Sequence, residues 1–170
     1  MYLSTLFASF FALTAYALPL SARETSDVKC VNPGDCYRIS EVSIDTPNGR
    51  PGSDNQVHLW FTLWDDSPKI SASTTCSASW EAGSNGWPNK SIKCDDDNFR
   101  WSFSKFESVT EWNIEATHDF IMDAKWGARS FANGTAATDD FECDADDTGA
   151  KHCSLKETRV INLGIYAMIA

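Results

Sequence analysis

Apolar and polar residues alternate along much of the chain. Over residues 56–64, Val57, Leu59, Phe61 and Leu63 share one parity, while His58, Trp60, Thr62 and Trp64 take the other. Residues 69–80 set Ile70, Ala72, Thr74, Cys76, Ala78 and Trp80 against Ser71, Ser73, Thr75 and Ser77. Residues 98–106 place Phe99, Trp101 and Phe103 opposite Arg100, Ser102 and Ser104. Residues 110–120 place Thr110, Trp112, Ile114, Ala116, His118 and Phe120 opposite Glu111, Asn113, Glu115, Thr117 and Asp119. A period of two over such lengths predicts half-buried strands, because successive side chains of a strand point to opposite faces. Residues 37–44 are strand-like as well, but the parity slips between Ile39 and Val42, which predicts a bulge at Ser40-Glu41. Residues 160–169 are apolar on both faces and predict a closing strand, while residues 121–138 fit either a further hairpin or a long loop. Turn-forming clusters punctuate the strands: Asn48-Gly49, Pro51-Gly52, Asp65-Asp66-Ser67-Pro68, Asn133-Gly134 and Asp147-Thr148-Gly149. The expected fold is all-β, an antiparallel barrel or sandwich in a single domain.

The first 17 residues contain no Asp, Glu, Lys or Arg, and Ala15-Tyr16-Ala17 offers a small-x-small cleavage site behind an apolar run. This predicts a signal peptide over residues 1–17, a polar leader over 18–29 and a folded domain over 30–170 in a secreted, extracellular protein. With 170 residues in all, one domain with a real core is expected. Seven Trp, ten Phe and four Tyr argue against intrinsic disorder. The net charge of −10 argues against nucleic acid and anionic membrane surfaces as partners.

Secretion makes disulfides the expected state of Cys30, Cys36, Cys76, Cys94, Cys143 and Cys153. Six cysteines allow many connectivities, and the spacing alone does not choose among them; pairing of sequence neighbours is one. A zinc site from Cys143, His152 and Cys153 has the wrong ligand spacing. The sequons at Asn89 and Asn133 would mark surface loops if glycosylated.

Candidate chemistry is sparse. Asp144, Asp146, Thr148 and Gly149 begin like a calcium loop, but Leu155 stands where a bidentate Glu is required, so a solvated loop is expected and no metal. A nucleophilic site needs a base beside a nucleophile and a third group orienting the base. The only histidines are His58, His118 and His152, and no motif surrounds them. His118, which shares its parity with Trp112 and Phe120, is expected to be structural. No catalytic residue and no cofactor are expected. His58, Trp60 and Trp64 are the candidate binding residues, because they share the face opposite an already apolar one. Trp80 and Trp87 bracket a Gly/Asn-rich loop, where they clamp the loop or carry a sugar ring.

Several segments carry a resemblance. A cysteine closely followed by Tyr37-Arg38-Ile39-Ser40-Glu41-Val42 is similar to the first core strand of the Alternaria major-allergen family (the Alt a 1 type, AA1-like domain). Thr74-Thr75-Cys76-Ser77-Ala78, Cys94 before the aromatic strand, and the pair Cys143 and Cys153 before the apolar closing strand continue the order. The resemblance implies a β-barrel, disulfides Cys76–Cys94 and Cys143–Cys153, and an interchain bond through Cys30 in a homodimer. Cys36 departs from that pattern by offering Cys30 a nearby partner, and residues 81–90 are an insertion. The resemblance also implies a secreted fungal effector or allergen-like protein that binds a host, chiefly plant, defence protein or a small ligand without catalysis. Two other functions fit the composition: a carbohydrate-binding module using surface Trp, and a small secreted hydrolase.

Overall fold

The computed structural model describes residues 30–32, 34–68, 70–123 and 126–170. The signal peptide and the leader expected over residues 1–29 lie outside the described residues.

Ten strands form one antiparallel sheet: β1 (Cys36–Thr46), β2 (Gln56–Asp65), β3 (Ala72–Glu81), β4 (Ile92–Lys93), β5 (Phe99–Ser108), β6 (Glu111–Asp123), β7 (Trp126–Ala136), β8 (Phe141–Ala145), β9 (Lys151–Leu155) and β10 (Ile161–Ile169). Their order is β3-β2-β1-β10-β7-β6-β5-β4, with β9 branching from β1 and β8 from β9. The sheet curls into a nearly closed barrel. Of the two alternatives the sequence left, barrel and sandwich, the barrel is the one formed. Its seam lies between the terminal strands β3 and β4, where the Cys76–Cys94 disulfide joins them. Two hydrogen bonds reinforce the seam, Asp95 N–H to Thr75 O and Asp96 N–H to Thr74 Oγ1, both at 2.9 Å.

All three disulfides link sequence neighbours: Cys30–Cys36, Cys76–Cys94 and Cys143–Cys153. Cys30 is therefore not available for the interchain bond that the resemblance implies, and the departure at Cys36 has this physical consequence.

The predicted parities are the observed ones. Val57, Leu59, Phe61 and Leu63 point inward from β2, and Phe99, Trp101 and Phe103 from β5. Trp112, Ile114 and Ala116 point inward from β6. Inside, Trp101 meets Phe61 edge-on at 5.0 Å between ring centroids, and Phe103 lies 5.2 Å from both Trp101 and Trp112. The bulge falls where the parity slips. The β1–β2 register shifts between Ser40 and Ser43, and Glu41 adopts φ 54°. The bulge lets Tyr37 and Ile39 before it and Val42 and Ile44 after it all face the core. It is also where β1 exchanges neighbours, from β10 at Cys36–Ile39 to β9 at Ser43–Thr46.

Residues 121–138 complete a hairpin, because β7 pairs along its whole length with β6. The inward positions of β7 are Ala128, Ser130, Ala132, Gly134 and Ala136, all small, and they leave room for the aromatic rings of β5 and β6. A Cβ at Gly134 would overlap the backbone carbonyl oxygen of Asn162 on β10. Gly134→Ala is therefore expected to cost about 1–3 kcal/mol through overpacking, measured as a lower urea midpoint with an unchanged slope.

The solvated loop expected inside the third disulfide is the turn of residues 146–150, in which Asp146 Oδ1 accepts bonds from Thr148 and Ala150 N–H; the ends of β8 and β9 flank it, with Cys143 and Cys153 directly opposite. One expectation is corrected. Asn89 does lie in a surface loop, but Asn133 sits mid-strand in β7, opposite Glu115 and Gly164, with its side chain outward. Small inward residues on both sides of it concealed the strand.

Candidate functional site

At one end of the barrel a polar layer replaces the apolar core. Asp65 ends the inward series of β2, and Tyr37 is its cross-strand partner on β1. His118 on β6 stands between Ser130 on β7 and Phe99 on β5. All five side chains are buried. His118 Nδ1 lies 2.8 Å from Asp65 Oδ2, its ring stacks on Phe99 at 3.8 Å, and Ser67 N–H donates to Asp65 Oδ1 at 3.0 Å. The Tyr37 and Ser130 hydroxyls bond to each other.

The electrostatics follow from this packing. Burial works to raise the Asp65 carboxyl, but the hydrogen bonds from His118 and Ser67 outweigh it and hold the carboxyl below its ordinary range. Burial, and after it the negative charges of Asp65 and Asp119, push the Tyr37 phenol well above its ordinary value, against the hydrogen bond to Ser130. A carboxylate can only accept, so the hydrogen of this contact sits on His118 Nδ1. Trp101 Nε1 is the one fully buried side-chain nitrogen or oxygen without a partner among the described residues. The His118 ring, itself buried, contributes to the lining of a cleft at this end of the barrel.

That cleft has a volume of about 680 Å3 and is walled by His118, Asp119, Phe120, Ile121, Arg129 and Ile169. Asp119 and Arg129 form a two-pronged ion pair across β6 and β7, with one contact at 2.6 Å. The Arg129 hydrogen bond holds the Asp119 carboxyl below its ordinary range. Two exposed apolar residues stand on its rim, Ile121 at 76% and Ile169 at 58%; on the same strand as Ile169, Tyr166 is 56% and Met168 54% exposed. Phe131 lies beside Tyr166, with ring centroids 6.3 Å apart. Beside this rim, β10 runs past the end of its pairing with β1. It pairs with β1 only over Ile161–Gly164, and Ile165 N–H to Asp35 O, at 2.9 Å, is the next bond on that side. From Tyr166 to Ile169, β7 is its one strand neighbour among the described residues.

The predicted binding residues lie elsewhere, on the outer wall of β2. His58 bonds to Ser79 at 2.7 Å and Asp54 at 3.0 Å. Trp64 is half-buried, donates to Ser40 Oγ at 2.9 Å and lies under the Arg38 guanidinium at 5.2 Å. Trp60 is 43% exposed. The three share a face, and none of them lines the cleft beside His118. His152 pairs with Asp45 at 2.8 Å on the exposed surface, so each histidine has an aspartate partner and only the His118 pair is buried. Among the described residues no three His, Cys, Asp or Glu side chains are grouped to hold a metal.

The polar groups of the layer bond to one another, His118 with Asp65 and Tyr37 with Ser130. The hydroxyl opposite His118, that of Ser130, is engaged by Tyr37. Sequence reasoning placed Asp65 in a turn and so missed its pairing with His118, 53 residues away. The signal was present, because Asp65 continues the inward parity of Val57, Leu59, Phe61 and Leu63. The chain matches no protein-family model, and no curated protein matches it in sequence.

Proposed function

We propose that this chain is a secreted, effector-like or allergen-like fungal protein that acts without catalysis, by binding an extracellular host protein or small ligand. Three disulfides fit the oxidising route to the cell exterior. The observation that carries the reading is the exposed apolar end of β10, with Tyr166, Met168 and Ile169, and Ile121 across the cleft. Exposed apolar side chains on a strand segment with one strand neighbour among the described residues favour a docked partner, which can extend the sheet and cover the side chains.

Capture from plant apoplastic fluid by the folded, oxidised protein tests this. A specific partner is expected to be retained by the wild type and by Trp60→Ala, and lost with Tyr166→Glu/Met168→Glu. Capture that survives the β10 substitutions, or that Trp60→Ala abolishes, overturns the assignment to the end of β10.

A further inference from the structure

The end of the barrel opposite His118 holds a second concavity, of about 430 Å3. It forms where β1 and β3 run out, β2 begins and β5 ends, beneath the loop of residues 82–91. Its floor is aromatic. Trp80 is buried; Trp87, from the loop, and Phe106, from β5, are half-buried. Trp87 lies nearly parallel to Phe106, with centroids 5.9 Å apart and 25° between planes, and Trp80 meets Phe106 edge-on at 5.6 Å. The loop is pinned at both ends, by Ala82 N–H to Asn55 O at 2.9 Å and Phe103 N–H to Pro88 O at 2.7 Å. The Trp87 ring is thus fixed before any ligand arrives, which lowers the entropic cost of binding. Asn85 is exposed at the mouth, and Glu107, paired with Lys105, stands at the edge.

We propose that this cleft binds a pyranose ring of a neutral oligosaccharide, with Trp87 as the stacking platform and Asn85 as the hydroxyl-reading group. The C–H face of a pyranose is apolar and covers an aromatic ring, while its hydroxyls require paired donors and acceptors, which one amide side chain supplies. A cleft of a few hundred Å3 lined by aromatics with few polar groups has the build of a small-ligand site. Glu107 at the edge and the net charge of −10 select against uronates and sulfated sugars. The site is independent of the β10 rim, at the other end of the molecule, so either assignment can fail alone.

The test is titration of the folded, oxidised, 15N-labelled protein with cellotetraose, laminaritetraose and chitotetraose, following the indole N–H resonances. At least one of these sugars is expected to shift Trp80 and Trp87 saturably while Trp60 and Trp64 stay in place. Tetragalacturonate is expected to shift neither pair. Trp87→Leu should weaken binding about tenfold or more, and Trp60→Ala should leave it unchanged. The proposal is overturned if none of the three neutral sugars moves Trp80 or Trp87, if tetragalacturonate moves them equally, or if the shifts fall on Trp60 and Trp64. The wild-type titration decides even if Trp87→Leu fails to fold.

Discussion

Replacing His118 by Leu is expected to destabilise the protein by about 3–5 kcal/mol, because it strands the Asp65 carboxylate inside the barrel. Asp65→Ala should cost less, about 1–3 kcal/mol, since it removes the buried carboxylate along with the hydrogen bond that His118 made to it. The two substitutions combined should cost less than their sum, because they remove one interaction. Urea unfolding of the three variants checks the order. The pH dependence gives a second readout. The Asp65 carboxyl of the folded wild type lies below its ordinary value, so its contribution to stability is complete above about pH 4, the unfolded value, and is lost as pH falls through the folded one. In His118→Leu the desolvated carboxyl titrates above its unfolded value, so the deficit should shrink on acidification. A His118→Leu deficit that is the same at pH 3 and pH 7 would falsify this account of the pair.

The second large effect is expected at the seam. Cys76→Ser/Cys94→Ser removes the one covalent tie between β3 and β4, across a sequence separation of 18 residues. Chain entropy alone predicts a loss of about 3 kcal/mol. The location adds a spatial signature, because the bonds that remain there are Asp95 N–H to Thr75 O and Asp96 N–H to the Thr74 hydroxyl. Hydrogen exchange should quicken in β3, β4 and the start of β5, and leave β6, β7 and β10 protected. Cys30→Ser/Cys36→Ser, across 6 residues and away from the seam, should cost less and leave that protection pattern intact. Uniform exchange through all strands in the seam variant would show that the disulfide acts only on the unfolded chain.

Much of the barrel is legible in the sequence because its large inward side chains alternate with polar ones. β2, β5 and β6 were readable for that reason, and the β1 bulge was readable because a parity slip has few other causes. β7 was not, since Ala128, Ser130, Ala132, Gly134 and Ala136 carry no amplitude in an alternation of hydrophobicity. Its strand character comes from the bulk of its neighbours, which only the packed barrel reveals. β8 and β9 were hidden as well, because every β8 residue after Phe141 is exposed. The clefts at the two ends follow from register: His118 meets Asp65 only when β6 and β2 face each other across the barrel, and Trp87 meets Phe106 only when the loop folds over β5. No local pattern encodes either meeting.

The position of β10 has a consequence for biogenesis. It is the last of the described strands in chain order, yet it lies in the middle of the sheet, between β1 and β7. Until it is synthesised, β1–β3 and β4–β7 are two half-shells without a shared ladder, each exposing an apolar inner surface. Their cysteine partners are close in sequence, so the Cys76–Cys94 tie can form in the nascent chain and hold the half-shells as a hinged pair. Arrival of β10 then zips the open side in one step. A chain that lacks β10 is therefore left as a clamshell instead of a barrel.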